Sequence, residues 1–400
     1  MKEIVIIGAG LGVDTLTAEG LSALTKAEVC FGAPRLLALF EGLFSPEQET
    51  YPFYKAEDIK KAMAHQENRH CAILVSGDTG FYSAAAGLCE ALHAFKPRLI
   101  PGVSSLNAFF ARLHLPWQDA VLFSAHGRQM EDAAAGITGL VRRNRLVFCL
   151  TGGNAAALGA ALSLVGFENL PVFTGENLGT PEEKISSLKV AELSRSTLAP
   201  LTVLLTVNDH ASDALPSGIP EGDFLRAEHI PMTKSEIRAV ALSKLGIKPD
   251  YVCYDIGAGT GSVSVEMALQ SWRGRVYAIE RRGEARSLIG ENCRGFHIGN
   301  VSIVEGEAPE VLEALPPPDA VFIGGSGGKV LKIIEALQRK NRNVRIVVSA
   351  VTLETSSVVL AAFPDAEASW ISVSRGKKVG ECHLLSPQNP VMIITLGGTP

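Results

Sequence analysis

A glycine-rich run from Asp255 to Gly261, which reads DIGAGTG, carries the strongest chemical signal in the sequence. It follows a short apolar segment that predicts a β-strand and precedes a segment that predicts a helix. Glycines at such a turn let the backbone pass close beneath a ligand and leave helix N–H groups directed towards it. The run fits a nucleoside-binding turn, and a tight strand-to-helix connection without a ligand would use the same residues.

The ends of the next three predicted strands point to the same crevice. Glu280 ends the second strand, 19 residues after Gly261, and a carboxylate there can accept two hydrogen bonds from a ribose diol. The third strand leads into residues 306–309, whose small residues fit around an adenine ring, and the fourth into residues 324–328, where a substrate would sit. Because ligands of open α/β sheets bind beyond the carboxyl ends of the strands, these features predict one nucleoside cofactor.

Two cofactors, S-adenosylmethionine and NAD, both need the ribose carboxylate. NAD also needs room for its pyrophosphate, which usually comes with the longer spacing G-x-G-x-x-G. The spacing here is G-x-G-x-G, which favours S-adenosylmethionine. A two-domain NAD(P)-dependent oxidoreductase remains the alternative, and a nucleotide-sensing module without enzymatic activity is a third interpretation.

The first half has its own glycine motif, Gly8 to Gly12, directly after the first predicted strand. The next predicted strand, Glu28–Gly32, ends without an acid that could hold a ribose, which disfavours an ordinary dinucleotide fold. Three further motifs follow in order: SGDTGFY at 76–82, PGVSS at 101–105 and SAHGR at 124–128. Taken alone, an aspartate such as Asp78 is typical of a turn.

Short apolar runs that end in glycine-rich turns before helices predict an α/β architecture in both halves. The strands predicted in the first half are Glu3–Ile7, Glu28–Gly32, Cys71–Val75, Arg98–Ile100, Val121–Ser124, Leu146–Leu150 and Leu201–Val207. Those predicted in the second half are Tyr251–Ile256, Arg275–Ile279, Val301–Val304, Ala320–Ile323, Arg345–Ser349, Ala368–Val373 and Val391–Leu396. The second set predicts a Rossmann-like, mostly parallel seven-stranded sheet, whose last two strands form an antiparallel hairpin.

Helices are predicted in the second half at Lys234–Leu245, Ser262–Gln270, Glu284–Cys293, Ala308–Ala314 and Lys329–Gln338. Polar and turn-forming residues dominate Asn208–Ala227, which reads as a linker. The sequence therefore predicts two domains, residues 1–209 and 228–400.

The composition supports large cores, since 46% of the 400 residues are hydrophobic and 20% are charged. A net charge of −5 disfavours a nucleic-acid partner. The 7 cysteines show no C-x-x-C spacing, which favours reduced thiols in a cytoplasmic protein, and no metal site is predicted. No apolar stretch is long enough for a membrane helix.

The C-terminal half, nearly all of 228–400, resembles the decarboxylating precorrin methyltransferases of cobalamin biosynthesis. The resemblance rests on PMTKSEIR at 231–238, FIGGSGG at 322–328 and AVTLET at 350–355. It implies a class I methyltransferase fold in which S-adenosylmethionine contacts Thr233, Gly257, Ala258, Gly259, Thr260, Gly261, Glu280 and Ala308. Some relatives carry Asp at the position of Glu280. After the fourth strand, nucleic-acid amine methylases carry Asn or Asp, two prolines and an aromatic residue, whereas this chain has Ile323-Gly324-Gly325-Ser326, which disfavours that target. Gly325 and Ser326 are candidates for contacting the substrate.

Residues 1–209 resemble the tetrapyrrole methylases, through the motifs at 8–12, 76–82 and 101–105. This resemblance implies a two-lobed fold that binds S-adenosylmethionine between its lobes, at Gly77, Asp78, Ser104 and Ser105. His126 and Arg128 are candidates for substrate binding. Relatives that make sirohaem carry Pro at Leu11 and Asp at Gly32, so their proposed acid/base role is not carried over.

Together the halves resemble the fused precorrin-6Y methyltransferases, which implies methylation at carbons 5 and 15 and loss of an acetate carboxyl. The first domain would serve carbon 5, the second would serve carbon 15 and the decarboxylation, and each would bind one S-adenosylmethionine. The tetrapyrrole substrate carries carboxylates, for which Arg281, Arg282, Arg375, Lys377 and Lys378 are candidate partners. The resemblance is also compatible with a homo-oligomer.

Overall fold

The computed structural model describes residues 3–63, 66 and 69–398. The first sheet contains β1 (Ile4–Gly8), β2 (Val29–Gly32), β3 (Glu49–Tyr51), β4 (Cys71–Val75) and β5 (Arg98–Ile100). Its order is β3-β2-β4-β1-β5, and all neighbouring strands are parallel. Strands β1 and β4 are buried along their whole length, as is typical of parallel strands covered on both faces.

The helices that accompany this sheet are α1 (Ala18–Lys26), α2 (Pro34–Leu39), α3 (Ala56–Met63), α4 (Ala85–Ala91) and α5 (Ser105–Leu113). Helix α1 begins where the Thr17 side chain accepts a hydrogen bond from the Gly20 N–H, and Ser104 caps α5 in the same way through the Asn107 N–H. These two N-caps fix where the helices begin: α5 starts at the last residue of the 101–105 motif, and α1 starts after five residues that follow the 8–12 motif.

The second sheet contains β6 (Ala120–Ser124), β7 (Leu146–Leu150), β8 (Pro171–Glu176), β9 (Lys184–Lys189) and β10 (Thr202–Val207). Its order is β6-β7-β10-β8-β9, and only the β6–β7 pair is parallel. The remaining helices of this half are α6 (Met130–Arg143), α7 (Ala155–Leu164) and α8 (Val190–Leu193). Two five-stranded sheets confirm the predicted two-lobed α/β fold.

All seven strands predicted in the second half are present. They are β11 (Val252–Ile256), β12 (Arg275–Glu280), β13 (Val301–Glu305), β14 (Ala320–Ile323), β15 (Arg345–Ala350), β16 (Glu367–Ile371) and β19 (Val391–Leu396). The sheet order is β13-β12-β11-β14-β15-β19-β16. Strand β19 runs antiparallel to both of its neighbours, so the predicted antiparallel edge is confirmed.

The helices of the second half are α9 (Ser235–Leu245), α10 (Ser262–Gln270), α11 (Gly283–Gly295), α12 (Val330–Lys340) and α13 (Leu353–Ala362). Helix α13 was not predicted, and the predicted helix at 308–314 is a 3₁₀ helix at Glu310–Ala314. A two-stranded hairpin, β17 (Ser374–Val379) and β18 (Cys382–Pro387), lies between the last two strands of the sheet. Its residues are almost all exposed, so burial did not mark them in the sequence.

The chain divides into two compact units. The first comprises residues 1–127, 146–156 and 171–207, and the second comprises 128–145, 157–170 and 208–400. That residues 1–209 and 228–400 fold independently as two domains stays a prediction. Within the described ranges, no helix combines the length and the apolar composition that a membrane-spanning helix needs.

Candidate functional site

A crevice of about 300 Å³ lies at the carboxyl ends of β11, β12, β13 and β14. The chain runs from β11 outwards to β12 and β13 and then returns to β14 on the other side of β11, so this is where the strand order reverses. Such switch points are where open α/β sheets bind ligands. The lining residues are Pro231, Ile256, Gly257, Gly259, Ile279, Glu280, Arg281, Arg282, Gly306, Glu307, Ala308, Gly324, Gly325, Ser326 and Gly327.

The floor of this crevice is a close contact between two backbone turns. Gly257 has a φ of +73°, and a Cβ atom placed on it would lie 2.8 Å from the N, Cα and O atoms of Gly325. Gly259, whose N–H faces Glu280, would bring a Cβ to 2.6 Å from the Pro231 carbonyl oxygen. Side chains are therefore excluded from both positions, which leaves a cradle of bare backbone that suits a flat or extended ligand.

Glu280 lies in the wall of the crevice with 6% of its surface exposed. Its Oε2 accepts a hydrogen bond from the Gly259 N–H at 3.0 Å, and its Oε1 accepts one from the Arg282 N–H at 3.0 Å. Each carboxylate oxygen can accept two hydrogen bonds, so both retain a lone pair for a ligand. The geometry thus fits the expected pairing with a sugar diol, and it adds a second task, since the same carboxylate fixes the glycine-rich turn.

The predicted cofactor residues divide into two groups. Gly257, Gly259, Glu280 and the buried Ala308 line the crevice, as do Gly325 and Ser326. The other predicted contacts, Thr233, Ala258, Thr260 and Gly261, do not line it. Gly261 is the N-cap residue of α10, and the hydroxyl of Thr260 is buried without a partner among the described residues.

Asp255 begins the glycine-rich run and is 1% exposed. Its Oδ2 accepts a hydrogen bond from the Ser264 hydroxyl, and its Oδ1 has no partner within the part of the chain that is described. Burial raises the pKa of Asp255 to about 7, against the opposing effect of the Ser264 hydrogen bond. A proton on this carboxyl is therefore retained near neutral pH, directly beneath the turn.

The mouth of the crevice is ringed by ion pairs. Glu307 bridges Arg281, at 2.6 Å from its Nη1, and Lys329, at 3.2 Å from its Nζ. Arg282 donates to the carbonyl of His229 at 3.2 Å. Arg281 and Arg282 therefore stand at the rim where the sequence analysis expected cations for substrate carboxylates.

Arg375, another of the expected cations, is engaged elsewhere. Its guanidinium lies 2.7 Å from Glu221 and 2.5 Å from Glu236, and the hydrogen bond from Arg375 lowers the pKa of Glu221 to about 2. It ties the base of the β17–β18 hairpin to the start of α9 and does not line the crevice. Lys377 and Lys378 lie exposed on β17 of the same hairpin.

The first unit has its own, larger cavity of about 700 Å³. This volume is within the range of small-molecule binding sites. Its lining includes all four residues predicted to hold a cofactor in this half, Gly77, Asp78, Ser104 and Ser105, together with His126. Arg128 is not among the lining residues, so of the two predicted substrate contacts the structure places His126 alone at the cavity.

Three turns meet at one edge of this cavity, at the carboxyl ends of β1, β4 and β5. Gly10 and Gly77 exchange backbone hydrogen bonds of 3.1 and 3.0 Å. A Cβ atom on Gly102 would lie 2.3 Å from the Gly77 carbonyl oxygen and 2.5 Å from that of Gly8. The motifs at 8–12, 76–82 and 101–105 are thus brought into direct contact, as their order in the sequence suggested.

Asp78 and Ser104 are fixed by local hydrogen bonds. Asp78 accepts hydrogen bonds from the Gly80 N–H at 2.7 Å and from the Gly102 N–H at 3.0 Å. Ser104 donates to the Asn107 side chain at 2.6 Å and is 2% exposed. Both side chains therefore stabilise the turns in which they lie. A ligand in the cavity would contact mainly the backbone that these side chains hold in place.

Sequence reasoning missed the opposite wall of this cavity. That wall includes residues 150–153, 175, 177, 178, 180 and 200–203, which lie at the ends of β7 and β8 and at the start of β10. Strands β8 and β9 were not predicted, because β9 is mostly exposed and β8 contains a threonine and a glycine. Arg35, near the start of α2, was also missed as a lining residue.

Comparisons with known proteins fit both halves. Residues 226–397 match the family described as precorrin methyltransferase domain, and residues 3–194 match the tetrapyrrole (corrin/porphyrin) methylases. The precorrin-6Y C(5,15)-methyltransferase [decarboxylating] of a Sinorhizobium species is 30% identical over 362 residues, which are 89% of this chain and 86% of that protein.

Shorter proteins also match. A probable cobalt-precorrin-6B C(15)-methyltransferase (decarboxylating) of Pyrobaculum calidifontis is 44% identical over 184 residues, 44% of this chain and 94% of that protein. The crystal structure of a precorrin-6Y C5,15-methyltransferase from Geobacter metallireducens is 40% identical, covers 44% of this chain and 95% of that one, and has a TM-score of 0.42. None of these comparisons favours an oxidoreductase or a sensing module.

Proposed function

Because the chain belongs to the family of precorrin-6Y C(5,15)-methyltransferases (decarboxylating), we propose that it methylates carbons 5 and 15 of precorrin-6Y and releases one acetate carboxyl as carbon dioxide. The observation that carries the proposal is 30% identity to a member of this family, over an alignment that covers 89% of the chain. The methyl donor of this cobalamin-pathway enzyme is S-adenosylmethionine, whose sulfonium supplies an electrophilic methyl group.

In the second unit, the crevice would hold one donor molecule. Glu280 would accept hydrogen bonds from the ribose hydroxyls through the lone pairs that its backbone partners leave open. The bare backbone at Gly257 gives the donor a close approach, and Ala308 supplies a small apolar surface beside it. Thr233, Ala258, Thr260 and Gly261 would act by shaping the turn, since none of them lines the crevice.

In the first unit, the cavity of about 700 Å³ would hold a second donor together with the macrocycle edge. The braced turns at Gly77, Asp78 and Ser104 would orient the donor, and His126 would face the substrate. Arg128 is retained as a substrate contact only from the family resemblance. This unit would methylate carbon 5, whereas the second would methylate carbon 15 and remove the carboxyl.

The contribution of the protein is alignment and exclusion of water. Holding donor and acceptor carbon in reactive geometry lowers the barrier by about 7–11 kcal/mol in favourable cases. For the decarboxylation, the conjugated macrocycle can itself accept the electron pair that the departing carboxyl leaves behind. Arg281 and Arg282, at the rim of the second crevice, are suited to hold substrate carboxylates during these steps.

The test is incubation of the full chain with isotopically labelled S-adenosylmethionine and precorrin-6Y, followed by mass measurement of the product. We expect a product that has gained both methyl groups and lost one carbon dioxide. A product unchanged in mass would contradict the proposal. We also expect the protein to be cytoplasmic, in keeping with its unpaired cysteines. We further expect a homo-oligomer, which sedimentation at several protein concentrations tests.

A further inference from the structure

The cavity of the first unit is poor in charge. Among the described residues that line it, Arg35 and Asp78 are the two with permanent formal charges. Most of the others are apolar side chains, glycines or hydroxyl-bearing residues. A cavity that encloses a polyanionic substrate needs cationic partners, so the placement of this arginine bears directly on what the cavity binds.

Asp78 does not neutralise Arg35. The two oxygens of Asp78 are occupied by the backbone N–H groups of Gly80 and Gly102, at 2.7 and 3.0 Å. No hydrogen bond or ion pair joins Arg35 to any residue in the described part of the chain, and its side chain is exposed. The guanidinium therefore retains its donors for a ligand.

The surroundings of Arg35 direct it towards an amphipathic ligand. It follows Pro34 at the start of α2, and Leu36 and Leu39 of the same helix line the same cavity. Leu36 is buried, whereas Leu39 is 40% exposed and offers an apolar surface beside the cation. The short helix α2 thus presents both an apolar surface and a positive charge to the same cavity.

The end of β2 adds to this apolar surround. Gly32, its last residue, lies three residues before Arg35. A Cβ on Gly32 would meet the Leu37 and Leu74 side chains at 3.3–3.4 Å, so the position is enclosed by apolar groups. The rim next to β2 therefore combines apolar surroundings with the cation of Arg35.

We propose that Arg35 binds a peripheral carboxylate of the tetrapyrrole and thereby fixes which edge of the macrocycle faces the methyl donor in the first unit. The planar guanidinium fork matches a carboxylate through two parallel hydrogen bonds, which gives orientation as well as affinity. Leu36 and Leu39 would contact the apolar face of the ring. This inference rests on the proposed function, since it assigns a specificity-determining residue to that reaction.

The test compares full-length wild type with Arg35→Ala, Arg35→Lys and the control Arg195→Ala. Arg195 is an exposed arginine of the same unit that does not line the cavity. Loss of a charged hydrogen bond predicts that Arg35→Ala raises the KM for precorrin-6Y in carbon-5 methylation about ten- to a hundredfold. The kcat at saturating substrate and the dissociation constant of S-adenosylmethionine stay close to wild type, and Arg35→Lys recovers part of the loss.

Decarboxylation and carbon-15 methylation in the same Arg35→Ala sample serve as the internal control and continue. The inference is overturned by a wild-type KM for Arg35→Ala, by an equal rise in Arg195→Ala, or by a parallel loss of donor affinity. Absence of methyl transfer in the wild type would instead overturn the proposed function. The two failures are therefore distinguishable.

Discussion

Arg238 and Glu266 form an ion pair that is entirely shielded from solvent, with 2.7 Å between Nε and Oε1. Glu266 also accepts hydrogen bonds from the N–H groups of Gly218 and Ile219, at 2.8 and 2.9 Å. Arg238 donates to the carbonyls of Ile219 and Thr233. The pair thus fastens the ends of the segment 218–233 to α9 and α10, and Pro231 of that segment lines the crevice of the second unit.

The substitution Glu266→Gln tests this pair. It leaves the guanidinium of Arg238 buried without a counter-charge, and removing one partner of a buried ion pair costs about 3–5 kcal/mol. We expect the free energy of unfolding of the unit that contains Glu266 to fall by that order in denaturant titrations. Glu335→Gln breaks the exposed pair with Arg339 and is expected to cost less than about 1 kcal/mol. Equal stability of the two variants would contradict the role of Glu266.

The substitution Glu280→Ala tests the ribose contact. It removes the acceptor of the Gly259 and Arg282 N–H groups and of the expected sugar hydroxyls. Loss of charged hydrogen bonds of about 1–3 kcal/mol predicts a five- to hundredfold weaker binding of S-adenosylmethionine to the second unit. Calorimetry measures this, with Glu284→Ala as the control because Glu284 is exposed and paired with His229. Unchanged affinity in Glu280→Ala would refute the assignment.

The substitution Gly257→Ala tests the floor of the crevice. The added methyl group would lie 2.8 Å from the Gly325 backbone at a positive φ, so one of the two turns must shift. We expect donor binding to the crevice to be abolished or weakened at least about tenfold, because the site needs its backbone geometry intact. A matched change is Gly290→Ala in α11, where the Cβ would meet nothing closer than Ile303 at 3.8 Å. It is expected to leave binding unchanged, and comparable binding by both variants would count against the cradle.

Asp255 predicts a pH dependence of stability. Burial raises its pKa from 3.8 to about 7, so between these values the folded chain holds a proton that the unfolded chain has lost. The contribution of Asp255 to the free energy of unfolding is therefore greatest below about pH 4. It falls as the pH rises from about 4 to about 7 and is constant at higher pH. Asp255→Asn, which is neutral throughout, should gain about 4 kcal/mol in free energy of unfolding relative to wild type across this window. Unfolding at a series of pH values measures the difference, and a difference that does not change with pH would contradict the protonated state. The control Asp365→Asn changes an exposed aspartate.

The two-donor proposal and the domain boundary are tested together. Each cavity is lined by residues of one unit, which predicts a stoichiometry of two S-adenosylmethionine molecules per chain. Expressed separately, residues 1–209 and 228–400 should each fold and bind one. Circular dichroism and calorimetry check both statements. A stoichiometry of one for the full chain would remove the first site, and unfolded fragments would contradict the boundary.

Much of the second half could be predicted from the sequence, because its strands are uninterrupted apolar runs that end at glycines. The place of Glu280 in the crevice wall was predicted for the same reason, since it ends a strand, and its contact with a ribose stays a prediction. The buried partner of Arg238 lies 28 positions away along the chain, and no local pattern reveals such a pairing. Arg375 looked available for a substrate because its partners Glu221 and Glu236 lie even farther away along the chain. The β17–β18 hairpin was missed because it buries almost nothing.

The two lining sets have no residue in common: one falls between Gly10 and Val203, the other between Pro231 and Gly327. If both cavities are catalytic, as we propose, synthesis as one polypeptide would deliver the two centres in equal numbers, whatever the level of expression. A half-modified intermediate released by one centre would then meet equal numbers of both centres. Neither methylation would be slowed because its own centre is present in smaller amount.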